Sequence, residues 1–176
     1  RLKGLPRTVW STAIAHFGVG VTVLGVVFAS AVQTEIVTSM KAGDIAEISG
    51  YTIRYVGEEL VQGPNFTAER GNFRIETPWG SSNSLSSERR VYSVSRTPTT
   101  EVGISTYGFS QMYVQFGERF GVDSRVVRLW YKPYVLLIWI GTLIMAGAGF
   151  LSLTDRRIRI GAPQTAKRKP QPEPAK

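Results

Sequence analysis

The run VWSTAIAHFGVGVTVLGVVFASAV, from Val9 to Val32, contains no charged residue, and His16 within it is the only histidine of the chain. At about 1.5 Å per residue its roughly 24 residues reach about 36 Å, enough to cross a hydrocarbon core of about 30 Å. It reads as a membrane span. A second uncharged run, YVLLIWIGTLIMAGAGFLSL from Tyr134 to Leu153, is near the ~20 residues a span requires. The stretch between them has about 100 residues, the usual size of one small domain. The expected fold class is thus a membrane α + β protein, two transmembrane helices flanking an extracytoplasmic all-β domain. The expected divisions are a basic cytoplasmic lead over 1–8, the first span over 9–32, the β domain over 33–133, the second span over 134–153 and a basic, proline-rich cytoplasmic tail over 154–176.

The 176 residues are 43% hydrophobic and carry a formal charge of +8. In a soluble chain that charge would point to nucleic acid, but its distribution argues otherwise. Arg1, Lys3 and Arg7 precede the first span, and Arg156, Arg157, Arg159, Lys167, Arg168, Lys169 and Lys176 follow the second. From Gln33 to Trp130 ten basic residues face eleven acidic ones. The positive-inside rule then puts both ends in the cytoplasm and the near-neutral middle outside, with no nucleic-acid partner. Cysteine is absent, which removes disulfides and thiolate metal sites. The chain begins at Arg1 without a signal-peptide pattern, so a piece of a longer polytopic protein, or a processed subunit, is expected.

Within the first span Trp10 falls where an interfacial aromatic would anchor the inner boundary. Thr12, His16, Gly20, Val23 and Val27 recur at helical spacing and share one face, with Gly20 leaving open space a turn from the imidazole. His16 lies about 10 Å inside the inner edge. Gly18 and Gly25 form a second line, suited to close helix packing, as are Gly141, Ala146, Gly147, Ala148 and Gly149 in the second span. Trp130, Tyr131 and Tyr134 make an aromatic group where the chain re-enters the bilayer, with Lys132 placed to snorkel towards headgroups.

In the middle segment the period changes to two. Residues 51–55, 72–76, 101–107, 111–116 and 124–130 alternate as strands do, and turn residues fall at 41–44, 63–65, 71–72, 78–87 and 97–99. Roughly six to eight short strands predict a small antiparallel barrel or sandwich. The expected core is Tyr51, Ile53, Tyr55, Phe73, Ile75, Val102, Ile104, Val114 and Phe116. The tail beyond Asp155 is expected to be disordered.

Chemistry is sparse. An ionisable side chain inside a span is expensive and marks a functional candidate, and a neutral imidazole there can ligate haem iron through one nitrogen while donating through the other. The plainer alternative is a histidine hydrogen-bonded to a neighbouring helix. One histidine without cysteine cannot build an ordinary zinc site, and neither a Ser-His-Asp triad nor a phosphate-binding loop can be assembled. Glu88, Arg89 and Arg90 form either a binding patch or a solvated strand face.

Several strings, in this order, resemble the C-terminal portion of the CcmF family, the integral-membrane haem lyase component of bacterial System I cytochrome c biogenesis. They are AHFGVGVTVLGV (Ala15 to Val26), SMKAGD (Ser39 to Asp44), GPN (Gly63 to Asn65), ERRVYS (Glu88 to Ser93), VRLWYKPYVLLIW (Val127 to Trp139) and TDRRIR (Thr154 to Arg159). The resemblance implies an inner-membrane location with a periplasmic β domain. It implies that His16 is one axial ligand of a transmembrane b-type haem, with Gly20 making room for the porphyrin and the second ligand outside this chain. That haem would reduce the iron of a haem being delivered, before its vinyl groups join the thiols of a C-x-x-C-H motif. The family's tryptophan-rich outer segment is missing here, and no catalytic residue transfers, so catalysis by this chain alone is not expected. The implied partners are the remainder of CcmF, the haem chaperone CcmE, apocytochrome c and its thiol-handling component CcmH, with quinol as a further candidate. Two other readings stay open: a non-enzymatic tethered β module that acts as an assembly scaffold, and a transporter fragment using His16 in proton transfer.

Overall fold

The computed structural model describes residues 7–154. Helix α1 spans Arg7–Ala31 and helix α2 spans Leu136–Leu153. Between them run β1 Thr34–Met40, β2 Ile45–Ile48, β3 Tyr51–Gln62, β4 Phe66–Glu76, β5 Ser82–Tyr92, β6 Pro98–Glu101, β7 Gly103–Tyr107, β8 Ser110–Phe120 and β9 Ser124–Lys132. The predicted tail lies outside the described residues.

The strands form two antiparallel sheets, one ordered β1-β9-β8-β7 and the other β2-β3-β4-β5-β6. The sheets do not close on each other, so the domain is a sandwich and not a barrel. Met40, Ile53, Tyr55, Phe73, Ile75, Met112, Val114, Phe116, Val127 and Leu129 are all buried in its centre. Alternation explains the inward set: β8 sends Met112, Val114 and Phe116 inward, and β9 sends Val127 and Leu129.

Two of the expected core residues face solvent instead. Val102 is 37% and Ile104 51% exposed, because residue 102 separates β6 from β7 and the inward positions of β7 are Gly103 and Ser105. Gly103 sits so close to the other sheet that a methyl group there would lie 2.5 Å from the Ser86 carbonyl oxygen. Close approach of the sheets selected the glycine, and the valine beside it was turned out.

Three predicted turns are strands in whole or in part. Gly71 and Asn72 lie inside β4, where Gly71 leaves room for the Phe116 ring; any Cβ would overlap it. The turn expected over 78–87 is confined to Thr77–Ser81, since β5 is held by its ladder to β4 despite a serine-rich sequence with little apolar alternation. Pro98 opens β6, an edge strand, where a missing N–H is tolerated.

The helices pack against each other antiparallel: Gly18 meets Gly141, and Gly25, further along α1, meets Ile138, earlier in α2. A methyl on Gly18 would lie 2.8 Å from the Gly141 carbonyl oxygen, and one on Gly25 2.7 Å from the Ile138 nitrogen. Ser11, Gly18 and Gly25 are buried at seven-residue steps, as are Gly141 and Ala148, so the seam repeats every two turns. Gly147 and Gly149 face away from it. Away from the seam the helices are apolar and bare: Phe17 is 65%, Leu143 71% and Phe150 72% exposed. Both are long and apolar enough to cross a bilayer.

Candidate functional site

Residues two apart on a helix are about 200° apart around its axis. Gly18 faces α2, so His16 and Gly20 must face the opposite way. Thr12, His16, Gly20, Val23 and Val27 do form one continuous exposed face of α1. No element of the described chain covers it.

The His16 ring is oriented by its own helix. Its Nδ1 lies 2.8 Å from the Thr12 carbonyl oxygen, one turn back. A carbonyl oxygen only accepts, so Nδ1 carries the proton and donates, which leaves the lone pair of a neutral ring on Nε2. This is the arrangement of a metal-ligating histidine, whose second nitrogen is commonly fixed by a carbonyl or carboxylate. Gly20, one turn on, has nothing within 4 Å of where a Cβ would stand. The helix therefore offers an outward imidazole nitrogen beside a side-chain-free surface. Sequence spacing placed the two on one face; the role of the Thr12 carbonyl could not be read from residue type, because it depends on the ring's rotamer.

The charged groups of the sandwich are mostly engaged with one another. Arg125, with its side chain 4% exposed, donates to Glu58 at 2.5 Å and Glu69 at 2.8 Å, and its guanidinium lies 4.9 Å from the centre of the Phe116 ring. Arg119 joins the same two carboxylates at 3.1 and 3.7 Å. The group links the two sheets, Glu58 and Glu69 coming from β3 and β4 and the arginines from β8 and β9. Ladder shifts at Tyr55/Gly57 and Phe116/Arg119 flank Glu58 and Arg119 and aim them at this crossing. The hydrogen bond from Arg125 holds the Glu69 carboxyl below its ordinary range. Burial, with the nearby Glu58 carboxylate adding to it, pushes the Tyr55 phenol up to about 12.

Glu88 is neither a free patch nor a solvated face. Its side chain is 11% exposed and accepts from Arg70 at 2.6 Å and Arg90 at 2.8 Å, while Arg90 lies over the Phe66 ring at 4.6 Å and Arg89 pairs with Glu118 at 3.3 Å. Burial alone would raise the Glu88 carboxyl, but the two arginines outweigh it and hold it below the ordinary range. A mid-strand Glu-Arg-Arg run does not reveal which sheet neighbours neutralise it, and Arg70 comes from the adjacent strand.

Trp130, Tyr131 and Tyr134 do not make one group, because strand alternation sends the first two to opposite faces. Trp130 lies under Arg128, Tyr131 packs 5.5 Å from Tyr51, and Tyr134 lies 5.2 Å from Phe28 of α1. Lys132 rests over the Tyr113 ring at 5.3 Å. Among the described residues no group of three or more His, Asp or Glu side chains is placed to hold a metal ion.

The CcmF C-terminal β-sandwich family model matches residues 31–133. A cytochrome c-type biogenesis protein CycK from Rhizobium meliloti is 43% identical over 96% of this chain and 25% of its own. Cytochrome c-type biogenesis proteins CcmF from Haemophilus influenzae and Escherichia coli are 36% and 32% identical, over 90% and 85% of this chain and 24% and 23% of theirs. The chain thus spans about a quarter of the length of these curated relatives. A solved structure titled Cytochrome c Heme Lyase CcmF superposes with a TM-score of 0.71 at 15% identity, over 84% of this chain and 25% of that one, a likeness of fold.

Proposed function

This chain belongs to the CcmF family of cytochrome c-type biogenesis proteins, and from that premise we propose that it is the C-terminal part of a membrane haem lyase. In this reading it contributes one axial ligand to a transmembrane b-type haem and a periplasmic docking domain for attachment of haem to apocytochrome c. The observation that carries it is the His16 geometry: Nδ1–H committed to the Thr12 carbonyl, Nε2 left to bind, and a bare glycine one turn away.

These residues fit a haem approached from one side. His16 would hold the iron through Nε2, Thr12 would keep the ring from turning, and Gly20 would admit the porphyrin edge without a side-chain clash. When bound, the haem supplies electron transfer to the iron of a haem being delivered. The second ligand and the delivered haem's own site lie in the remaining three quarters of the protein.

The membrane reading is supported by exposure. A core helix of a soluble domain hides its large apolar side chains, whereas Phe17, Leu143 and Phe150 are bare beyond the seam. We place 9–32 and 134–153 across the bacterial inner membrane, 33–133 in the periplasm, and 1–8 and 154–176 in the cytoplasm, from the basic residues at the two ends. In the sandwich the charges pair with each other, which weighs against acid–base chemistry there; docking of CcmE, CcmH or apocytochrome c is the role this reading gives the domain.

The test is a visible spectrum of the whole membrane protein with and without His16→Ala. The expected wild type gives a low-spin bis-histidine b-type signal, and the variant loses or shifts it while its sandwich keeps native strand content. An unchanged spectrum removes His16 from the haem.

A further inference from the structure

The two ends of the sandwich differ in chemistry. At one end lie the start of β1, the end of β9 and the turns β2–β3, β4–β5 and β7–β8. This end adjoins the helices: the Leu136 N–H, at the start of α2, donates to the Phe109 carbonyl of the β7–β8 turn at 3.2 Å, and Ser49 Oγ of the β2–β3 turn lies 3.3 Å from Thr34 Oγ. Residues 49–50, 77–81 and 107–110, which make these three turns, contain no charge. The opposite end carries Lys41, Asp44, Arg96, Glu118, Arg119 and Asp123.

The three uncharged turns, flanked by Glu35, Glu76 and Lys132 at the strand ends, also expose large rings. Trp79 of the β4–β5 turn is 63% exposed and Phe109 54%. Trp79 is not loose: it packs edge-on against Tyr51 and Tyr107, at 5.8 and 6.1 Å between ring centres, and Tyr51 packs on Tyr131 at the end of β9. The aromatic group is thus braced from the core of the sandwich and its outermost ring is left uncovered.

We propose that Trp79 and Phe109 form an interfacial rim that seats the sandwich on the glycerol and headgroup layer of the bilayer. The occupant follows from position. Phe109 is hydrogen-bonded to the first residue of α2, which fixes its turn at the level where that helix leaves the hydrocarbon. An indole and a phenyl ring at that level have an apolar body for the acyl chain ends and, in the indole, an N–H for water or ester oxygens. Contact at this rim adds to the short connections Val32–Gln33 and Pro133–Val135 and to the Leu136–Phe109 hydrogen bond in setting the tilt of the sandwich relative to the helices. The inference rests on the two-span reading above.

The experiment uses the whole membrane protein in phosphatidylcholine vesicles, with every tryptophan but Trp79 changed to Phe, Trp10, Trp130 and Trp139 of this chain among them. A control lacks every native tryptophan and carries Phe17→Trp, a probe in the middle of α1. Lipid brominated near the headgroup end of its acyl chain should cut Trp79 emission by about half. Lipid brominated near the terminal methyl should cut it less, and aqueous iodide should have little effect. The probe at position 17 should show the reverse preference between the two lipids. If Trp79 is quenched by iodide and by neither lipid, or is shielded from all three, while position 17 still responds to deep bromine, the rim is overturned and the spans stand. If position 17 responds to neither lipid, the two-span reading fails and takes the rim with it.

Discussion

The helix pair and the β-sandwich are held together in opposite ways. In the helix pair the large apolar side chains point outward and the seam is made of Ser11, Gly18, Gly25, Gly141 and Ala148, so backbone meets backbone. In the sandwich the large apolar side chains point inward, and the arginines and carboxylates that come near the core do so in groups, as Arg125 does with Glu58 and Glu69. The contrast follows from the solvent proposed for each. Lipid offers no hydrophobic gain for bringing two apolar helices together, so contact depends on close van der Waals approach, which small residues allow. Water rewards the burial of Phe73 and Phe116 and penalises every buried charge left unpaired.

The contrast can be broken from either side. The largest effect is expected for Gly141→Leu, whose side chain would meet Thr22 and the Gly18 carbonyl oxygen. It should weaken the helix pair by roughly 3 kcal/mol or more, because backbone on both sides prevents relaxation. Loss of helix pairing in SDS, followed by helical circular dichroism, reports this, and the sandwich's own denaturation midpoint should not move.

Arg125→Met should do the converse. It leaves Glu58 and Glu69 facing a buried apolar side chain with Arg119, and for Glu69 the more distant Arg89, as the remaining cations, a change worth about 2–4 kcal/mol to the sandwich. Urea unfolding monitored through strand content measures it, with helix pairing unchanged. A neutral result would mean that the crossing of the two sheets is held by apolar packing alone.

A smaller loss is expected on acidification. The arginine neighbours hold Glu69 and Glu88 below the ordinary carboxylate range in the folded chain. Their contribution is therefore present above the unfolded value of about 4.5 and is lost as pH falls through the lower folded values. The sandwich should lose stability as pH is lowered through that range, while α1 and α2, which contain no Asp or Glu, keep their pairing. Equal acid sensitivity of both regions would contradict the division drawn here.

The smallest effect is expected for Gly20→Ala. With nothing within 4 Å of the new methyl, helix pairing should change by less than about 0.5 kcal/mol. A displaced visible spectrum of the whole protein in this variant would then support the proposed porphyrin contact, since folding is unchanged. Gly18, two residues away, would not tolerate the same change without moving Met145 and the Gly141 backbone.

How much of this was legible in the sequence varied with the range of the interaction. The uncharged runs revealed both helices, since length and polarity are local properties. The alternation over 51–55, 111–116 and 124–130 revealed three strands and, of their inward residues, Tyr51, Ile53, Tyr55, Val114 and Phe116, but not Met112, Val127 or Leu129. It misled at Val102 and Ile104, where a glycine took the inward position because the other sheet lies too close for a side chain. Turn chemistry misled at Gly71, a glycine kept inside β4 for the Phe116 ring. The ion group on Arg125 had no local signature, because Arg125 lies 67 and 56 residues along the chain from its partners Glu58 and Glu69.

The sequence by itself determined that two apolar helices bracket an alternating, charge-balanced domain, and that a solitary histidine shares a helical face with a glycine. Those are matters of composition and period, and each is complete within a few turns of chain. Only the tertiary structure decided which glycines of α1 close a seam and which stay open, which way His16 points, and which charges neutralise each other across the sheets. A helix has no preferred rotation until a second backbone comes within reach of it, and a strand has no inner face until another sheet covers it.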